Sequence, residues 1–189
     1  RDGKIGSFLH VLTAEEANYL QRLASQSPLQ IPLLIGIDAI HGNAQVAGCT
    51  VYPTSIGQAS TFDPELVERI CEETAAEMRA TGSQWTFNPN VEVARDPRWG
   101  RVGETFGEDP YLAGELGEAI VRGYQGDDLS DGEHILACAK HYIGYGEAVG
   151  ARDACDTEMT YRRLRETFLP PSTAAFRAGS RVSGLEPSW

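Results

Sequence analysis

Basic residues are in deficit: 16 Lys and Arg stand against 27 Asp and Glu, a formal net charge of −11. Nucleic acids and anionic membranes are captured by basic faces, so this balance argues against both and for a neutral or weakly charged substrate. No apolar run approaches the roughly 18 residues of a membrane span. The opening residues, RDGKIGSFLH, are not a signal sequence and read as the middle of a longer chain, with any targeting segment lost. The four cysteines, Cys49, Cys71, Cys138 and Cys155, lack any CxxC pairing, so neither a zinc knuckle nor a dithiol redox motif is suggested. They read as small buried or partly buried thiols. A serine nucleophile elbow, a clustered His/Cys metal site and a GxGxxG turn are missing too, so neither metal nor cofactor is expected.

What is present is a repeated alternation of short apolar runs and helical patterns, in a chain of 189 residues with 41% hydrophobic content. KIGSFLHV (4–11) reads as a strand, and Thr13 and Glu16 then stand at capping-box spacing before a helix carrying Ala17, Leu20 and Ala24. IPLLIGID (31–38) suits a strand buried on both faces, and Asp63-Pro64 opens a helix with Val67, Ile70, Cys71, Thr74, Ala75 and Met78 on one side. WTFNPNVEV (85–93) is a third strand interrupted at Pro89, followed by a charged loop and a helix from Asp109-Pro110. ILACAKHYI (135–143) is the fourth. The helical segment after Thr160 should break at Pro170-Pro171 and resume to Gly179.

Strand, loop and helix repeated at this spacing imply parallel strands joined by right-handed crossovers. The polar residues Asp38 to His41, Arg95 to Glu108 and Lys140-His141 each fall at the C-terminal end of an expected strand, where barrel active sites are assembled. This favours an α/β fold, a partial (β/α)8 TIM-type barrel of about four β/α units. A full barrel needs about 250 residues. Residues 1–179 are read as this barrel portion, and 180–189, SRVSGLEPSW, as a tail without strand pattern.

The densest chemistry lies in RDPRWGRVGETFGEDP (95–110), where Pro97, Gly100, Gly103 and Gly107 set turns among Arg95, Asp96, Arg98, Arg101, Glu104 and Glu108. One arginine can face a ligand while the others pair with Asp96, Glu104 or Glu108. Trp99 is either a stacking platform for a sugar ring or the loop's packing anchor. Asp38 can accept hydrogen bonds from two sugar hydroxyls or serve a local turn, and His41 reads more readily as a packing residue than as a ligand contact. Lys140 and His141 are adjacent, so both reach one ligand only if the strand ends or bulges between them.

GIDAIHG, NPNVEVARDPRWGRVGETFGEDPYL, the AKHY element and RETFLPP, in this order, resemble the N-terminal barrel domain of glycoside hydrolase family 3. The likeness is to the branch that includes β-glucosidases and β-xylosidases. It implies that Asp38, Arg101, Lys140 and His141 grip the non-reducing terminal sugar of a β-linked oligosaccharide or glucoside. It further implies a retaining mechanism with an aspartate nucleophile and a glutamate acid/base. Both would lie outside this chain, in the missing barrel half and a C-terminal domain, leaving no catalytic residue here. Tyr145 in KHYIGYG stands where the N-acetylglucosaminidase branch carries a histidine, which argues against that branch. The resemblance suggests an extracellular or periplasmic location. The reading adopted is a portion of a β-glucosidase that hydrolyses terminal non-reducing β-linked glucose; the alternatives are a β-xylosidase of the same family, a noncatalytic sugar-binding remnant, and an unrelated barrel enzyme binding an anionic metabolite through its arginines.

Overall fold

The computed structural model describes residues 3–184. Five strands, β1 (Ser7–Leu9), β2 (Leu34–Ile37), β3 (Trp85–Thr86), β4 (Cys138–Lys140) and β5 (Val182–Gly184), alternate with helices α1 (Ala14–Ser25), α2 (Ser55–Ala59), α3 (Pro64–Thr81) and α4 (Pro110–Gln125). A last helical stretch comprises α5 (Tyr161–Arg163), a π turn (Leu164–Phe168) and α6 (Leu169–Arg177). β1 pairs with β2, β2 with β3, and β4 with β5, all parallel. Parallel bridges Trp85 to Leu136 and Asn90 to Lys140 join the third and fourth segments. The spatial order therefore follows the sequence order, with every C-terminal strand end on the same side. The architecture is α/β, as the alternation implied.

The helices start where the sequence places their caps. Thr13 Oγ1 accepts the Glu16 N–H at 3.2 Å and donates to Glu16 Oε2 at 3.1 Å. Asp63 and Asp109 cap α3 and α4 through the amides of Leu66 and Leu112 at 2.9 and 2.8 Å, each followed by proline, whose missing N–H costs nothing in a first helical turn. Gly82 closes α3 at φ 95°, a conformation that glycine adopts without penalty.

Two differences from the sequence reading have physical causes. The helical path does not break at Pro170-Pro171. The π turn at 164–168 shifts the register so that the prolines fall in the opening turn of α6, where their absent donors are not needed. The stretch read as strandless from 180 does contain a strand: Cys138, Ala139 and Lys140 pair in register with Val182, Ser183 and Gly184. Its alternation is only three residues long, too short to register as a pattern. The remaining part of that tail, 185–189, lies outside the described residues.

The core is one layer of α3 and α4 against the sheet. Ile37, Val67, Cys71, Ala75, Met78, Leu116, Ile120, Tyr124, Ile135 and Ala139 are buried together. Tyr124 donates its hydroxyl to the Ala39 carbonyl at 2.7 Å, tying α4 to the chain just past β2. All four cysteines are free, with Cys71 and Cys138 buried. The two helices approach so closely at Gly123 that a Cβ there would lie 2.3 Å from the Glu68 carbonyl oxygen and 2.7 Å from Cys71 Cβ. Gly123→Ala is therefore expected to lower stability by about 2–3 kcal/mol through overpacking. Gly103→Ala, whose Cβ meets no atom within 4 Å, should change it far less; urea unfolding of both variants checks the contrast.

Candidate functional site

At the C-terminal strand ends a cavity of about 670 Å³ is lined by Asp38, Arg101, Glu104, Lys140 and His141 together with apolar groups including Trp85 and Phe87. All four residues singled out from sequence, Asp38, Arg101, Lys140 and His141, thus meet in one place. Asp38 directly follows β2, and Lys140 ends β4. Their parallel strands bring them together: Lys140 Nζ donates to Asp38 Oδ1 at 2.8 Å. Lys140 is only 8% exposed, and a buried ammonium is tolerable only when paired in this way.

The strand ends at Lys140, the Lys140–His141 peptide is cis, and both side chains line the cavity. His141 is buried, packed edge-on against Tyr145 with ring centroids 5.1 Å apart. Burial, reinforced by the charges of Arg101 and Lys140, pulls its imidazole down to about 3, so the ring is neutral near pH 7 and can offer both a donor and an acceptor.

Arg101 comes from the charged loop. Its Nε and Nη2 bond Glu104 Oε1 and Oε2, both at 2.8 Å, a bidentate brace closed by the short turn Val102–Glu104. Its guanidinium carbon lies 5.4 Å from the Tyr145 ring centroid. The other arginines are turned to other tasks. Arg98 pairs with Asp96 at 2.7 Å, and Arg95 lies 4.0 Å from Glu147, which also pairs with Arg163 at 2.7 Å. Of the two readings of Trp99, the packing anchor is the one observed: it is 2% exposed, edge-on to Tyr145 at 5.3 Å, and its indole N–H donates to Asp153 at 3.4 Å. His41 is a local contact as well, its Nδ1 lying 3.0 Å from the Tyr52 carbonyl oxygen.

Sequence reasoning missed His10. Its Nε2 lies 3.0 Å from Asp38 Oδ2, so the two carboxylate oxygens are held from opposite sides, by Lys140 and by His10. The signal was available. His10 follows an apolar strand just as Asp38 does, but a strand drawn through Val11 hides it; the observed strand stops at Leu9 and His10 turns out at φ 55°. Each oxygen has two acceptor directions, so Asp38 keeps capacity for a ligand.

An all-parallel α/β scaffold with polar groups gathered across its strand ends is the plan of an enzyme domain that works on the face made by its loops. Residues 4–183 match the glycosyl hydrolase family 3 N terminal domain, and the chain belongs to that family. A β-glucosidase involved in saponin metabolism from intestinal bacteria is similar in structure, with a TM-score of 0.92 and 43% identity over 96% of this chain and 24% of that one. The Listeria innocua β-glucosidase in complex with glucose gives 0.91 and 36%, over 97% and 25%. A periplasmic β-glucosidase of Salmonella typhimurium is 35% identical over 95% of this chain and 23% of its own length. A β-xylosidase of Formosa agariphila is 38% identical over 93% and 26%. The chain thus spans about a quarter of the length of these relatives.

The neutral imidazole of His141 has a measurable consequence. Its folded value lies below the ordinary 6.5, so as pH falls the unfolded chain takes up this proton first. The associated stability is complete above about pH 6.5 and is lost progressively as pH falls from there toward 3. Nitrogen-15 NMR of the ring should show no imidazolium at pH 5, and His141→Gln should reduce the loss of stability between pH 6.5 and 4. A ring that titrates near 6.5 contradicts the assignment.

Proposed function

We propose that this chain is the opening portion of a (β/α)8 barrel, about four β/α units and the start of the next strand, and that its cavity holds the non-reducing terminal sugar of a β-glucoside. Asp38, Arg101, Lys140 and His141 are the sugar-holding residues. The observation that carries the reading is the charge balance of the cavity. Its two cations are each matched by a carboxylate, Lys140 by Asp38 and Arg101 by Glu104, and its histidine is neutral. Such a set has no net attraction for an anion but offers donors and acceptors in fixed directions, which is what vicinal hydroxyls need. The anionic-metabolite alternative therefore loses its support.

The parent activity follows as hydrolysis of terminal β-linked glucose with retention, through a nucleophile and an acid/base contributed from outside this chain. Among the described residues the carboxylates on the cavity wall are Asp38 and Glu104, and both are committed to cations that orient them. Neither stands as an available nucleophile. A β-xylosidase is the second reading, supported by the Formosa agariphila relative. The periplasmic relatives support a location in the periplasm or outside the cell.

The test compares this chain with a version extended through the parent reading frame, on 4-nitrophenyl β-glucoside, β-xyloside and N-acetyl-β-glucosaminide. Turnover is expected only in the extended form and fastest on the glucoside. Turnover by the short chain would mean that a carboxylate here is the nucleophile, and silence from both would leave a sugar-binding remnant. Asp38→Asn in the extended form should lower kcat/KM at least 100-fold, about 3 kcal/mol, because it removes the partner of a buried ammonium and two acceptor directions.

The barrel reading carries its own test. Ile5, Leu9, Leu29 and Ile31 are exposed beside the outer edge of β1, which is unpaired among the described residues, and the groove between β1 and α1. An open parallel edge flanked by apolar side chains associates. Sedimentation of this chain should show concentration-dependent self-association, and a sharp, concentration-independent monomeric melting transition would count against it.

A further inference from the structure

Glu92 is a carboxyl placed where a strand-end segment should be apolar: it is 2% exposed, between the buried Val91 and Val93. Two side-chain steps deliver it there. Asn88 Oδ1 accepts the Asn90 N–H at 3.2 Å and Asn90 Oδ1 accepts the Glu92 N–H at 3.0 Å, while the Val91 N–H donates to the Lys140 carbonyl at 2.7 Å. Glu92 consequently sits beside the chain leaving Lys140. The Gly146 N–H donates to Glu92 Oε2 at 2.9 Å. A Cβ at Gly146 would stand 2.3 Å from the Val93 carbonyl oxygen, so only glycine lets the loop come this close. The loop's other side faces the cavity wall: Tyr145 stacks edge-on against His141 and lies under the Arg101 guanidinium.

We infer that Glu92 is a positioning residue, a buried clamp that holds the 141–147 loop against residues 92–93 and thereby sets His141 and Tyr145 at the cavity. Burial lifts its carboxyl, the backbone amides of Gly146, Tyr145, His141 and Gly144 pull against that rise, and the balance leaves it at about 7. Those four donors all belong to the loop it clamps. Glu147, next along, fixes the loop's far end to Arg163 at 2.7 Å. The clamp deepens the reading of the cavity as a sugar site and rests on that reading for its consequence, although not for its existence.

The experiment uses this chain with Glu92→Leu and Glu92→Gln. Leucine keeps most of the volume and removes the acceptor along with the cost of burying a carboxyl, so the melting temperature should hold or rise. The amides of residues 141–147 should nevertheless exchange at least ten-fold faster, while those of α3 and α4 do not change. The His141 ring-proton shifts, set by the Tyr145 ring current, should move toward random-coil values. Glutamine retains an acceptor oxygen and should restore both readouts. Should the leucine variant not fold, Glu92→Asp, one methylene too short to reach Gly146, replaces it with the same expectation. Unchanged loop exchange and ring shifts in the leucine or aspartate variant overturn the clamp, as does a glutamine variant as open as they are. Glucose titration separates the two readings: a wild-type chain that binds no glucose sinks the sugar site, while the exchange and ring-shift comparison still decides Glu92.

Discussion

The Lys140–Asp38 pair is the contact on which the rest of the cavity depends. It spans from the end of β4 to the end of β2, passing over the intervening third segment, and it exists only because the parallel register brings both strand ends to one face. A buried ammonium left without its carboxylate costs several kcal/mol, so the pair also makes the sheet order consequential. His10 completes it from β1, and the ends of β1, β2 and β4 thereby meet at one carboxylate. Fold and site are the same fact at this point.

The charged loop shows how a sequence dense in arginine can produce a nearly neutral wall. Asp96 folds back on Arg98 two residues later, accepting both its backbone and its side-chain N–H groups. Arg101 and Glu104 do the same across one short turn. Of the loop's arginines it is Arg101 that lines the cavity, held by Glu104 in a fixed fork that a flexible lysine could not reproduce. Trp99 and Tyr145, edge to face and both bonded to Asp153, anchor the loop from beneath.

Much of this was legible because it is local. Capping aspartates, the proline after each and the 3.6-residue stripe of α3 depend on neighbours within a turn, and the structure places them accordingly. That Asp38, Lys140-His141 and the charged loop share a face was legible through one nonlocal rule, that parallel strand ends lie together, while the choice of Arg101 among the loop's arginines came only from the family resemblance. What escaped was set by tertiary context. β5 is three residues long and is defined by its partner β4 rather than by its own pattern. The π turn before Pro170 is a register adjustment with no marker in composition. His10 was lost to a strand boundary drawn two residues too far, and Glu92 lay in a segment whose valines suggested only burial.

On the proposed reading, the neutrality of His141 is what suits the cavity to an uncharged ligand. Two cations and two carboxylates already balance, so a protonated imidazole would add an uncompensated charge in a buried place. Burial and the neighbouring Arg101 and Lys140 all act against that proton. The arrangement is self-consistent in sign: the same cations that need Asp38 and Glu104 keep His141 from competing for them. A ligand entering such a cavity gains hydrogen bonds to groups that are already oriented, and it does not have to bring a charge of its own. On the proposed reading a polyhydroxylated ring is such a ligand, whereas a phosphate monoester or a free carboxylate would bring a charge.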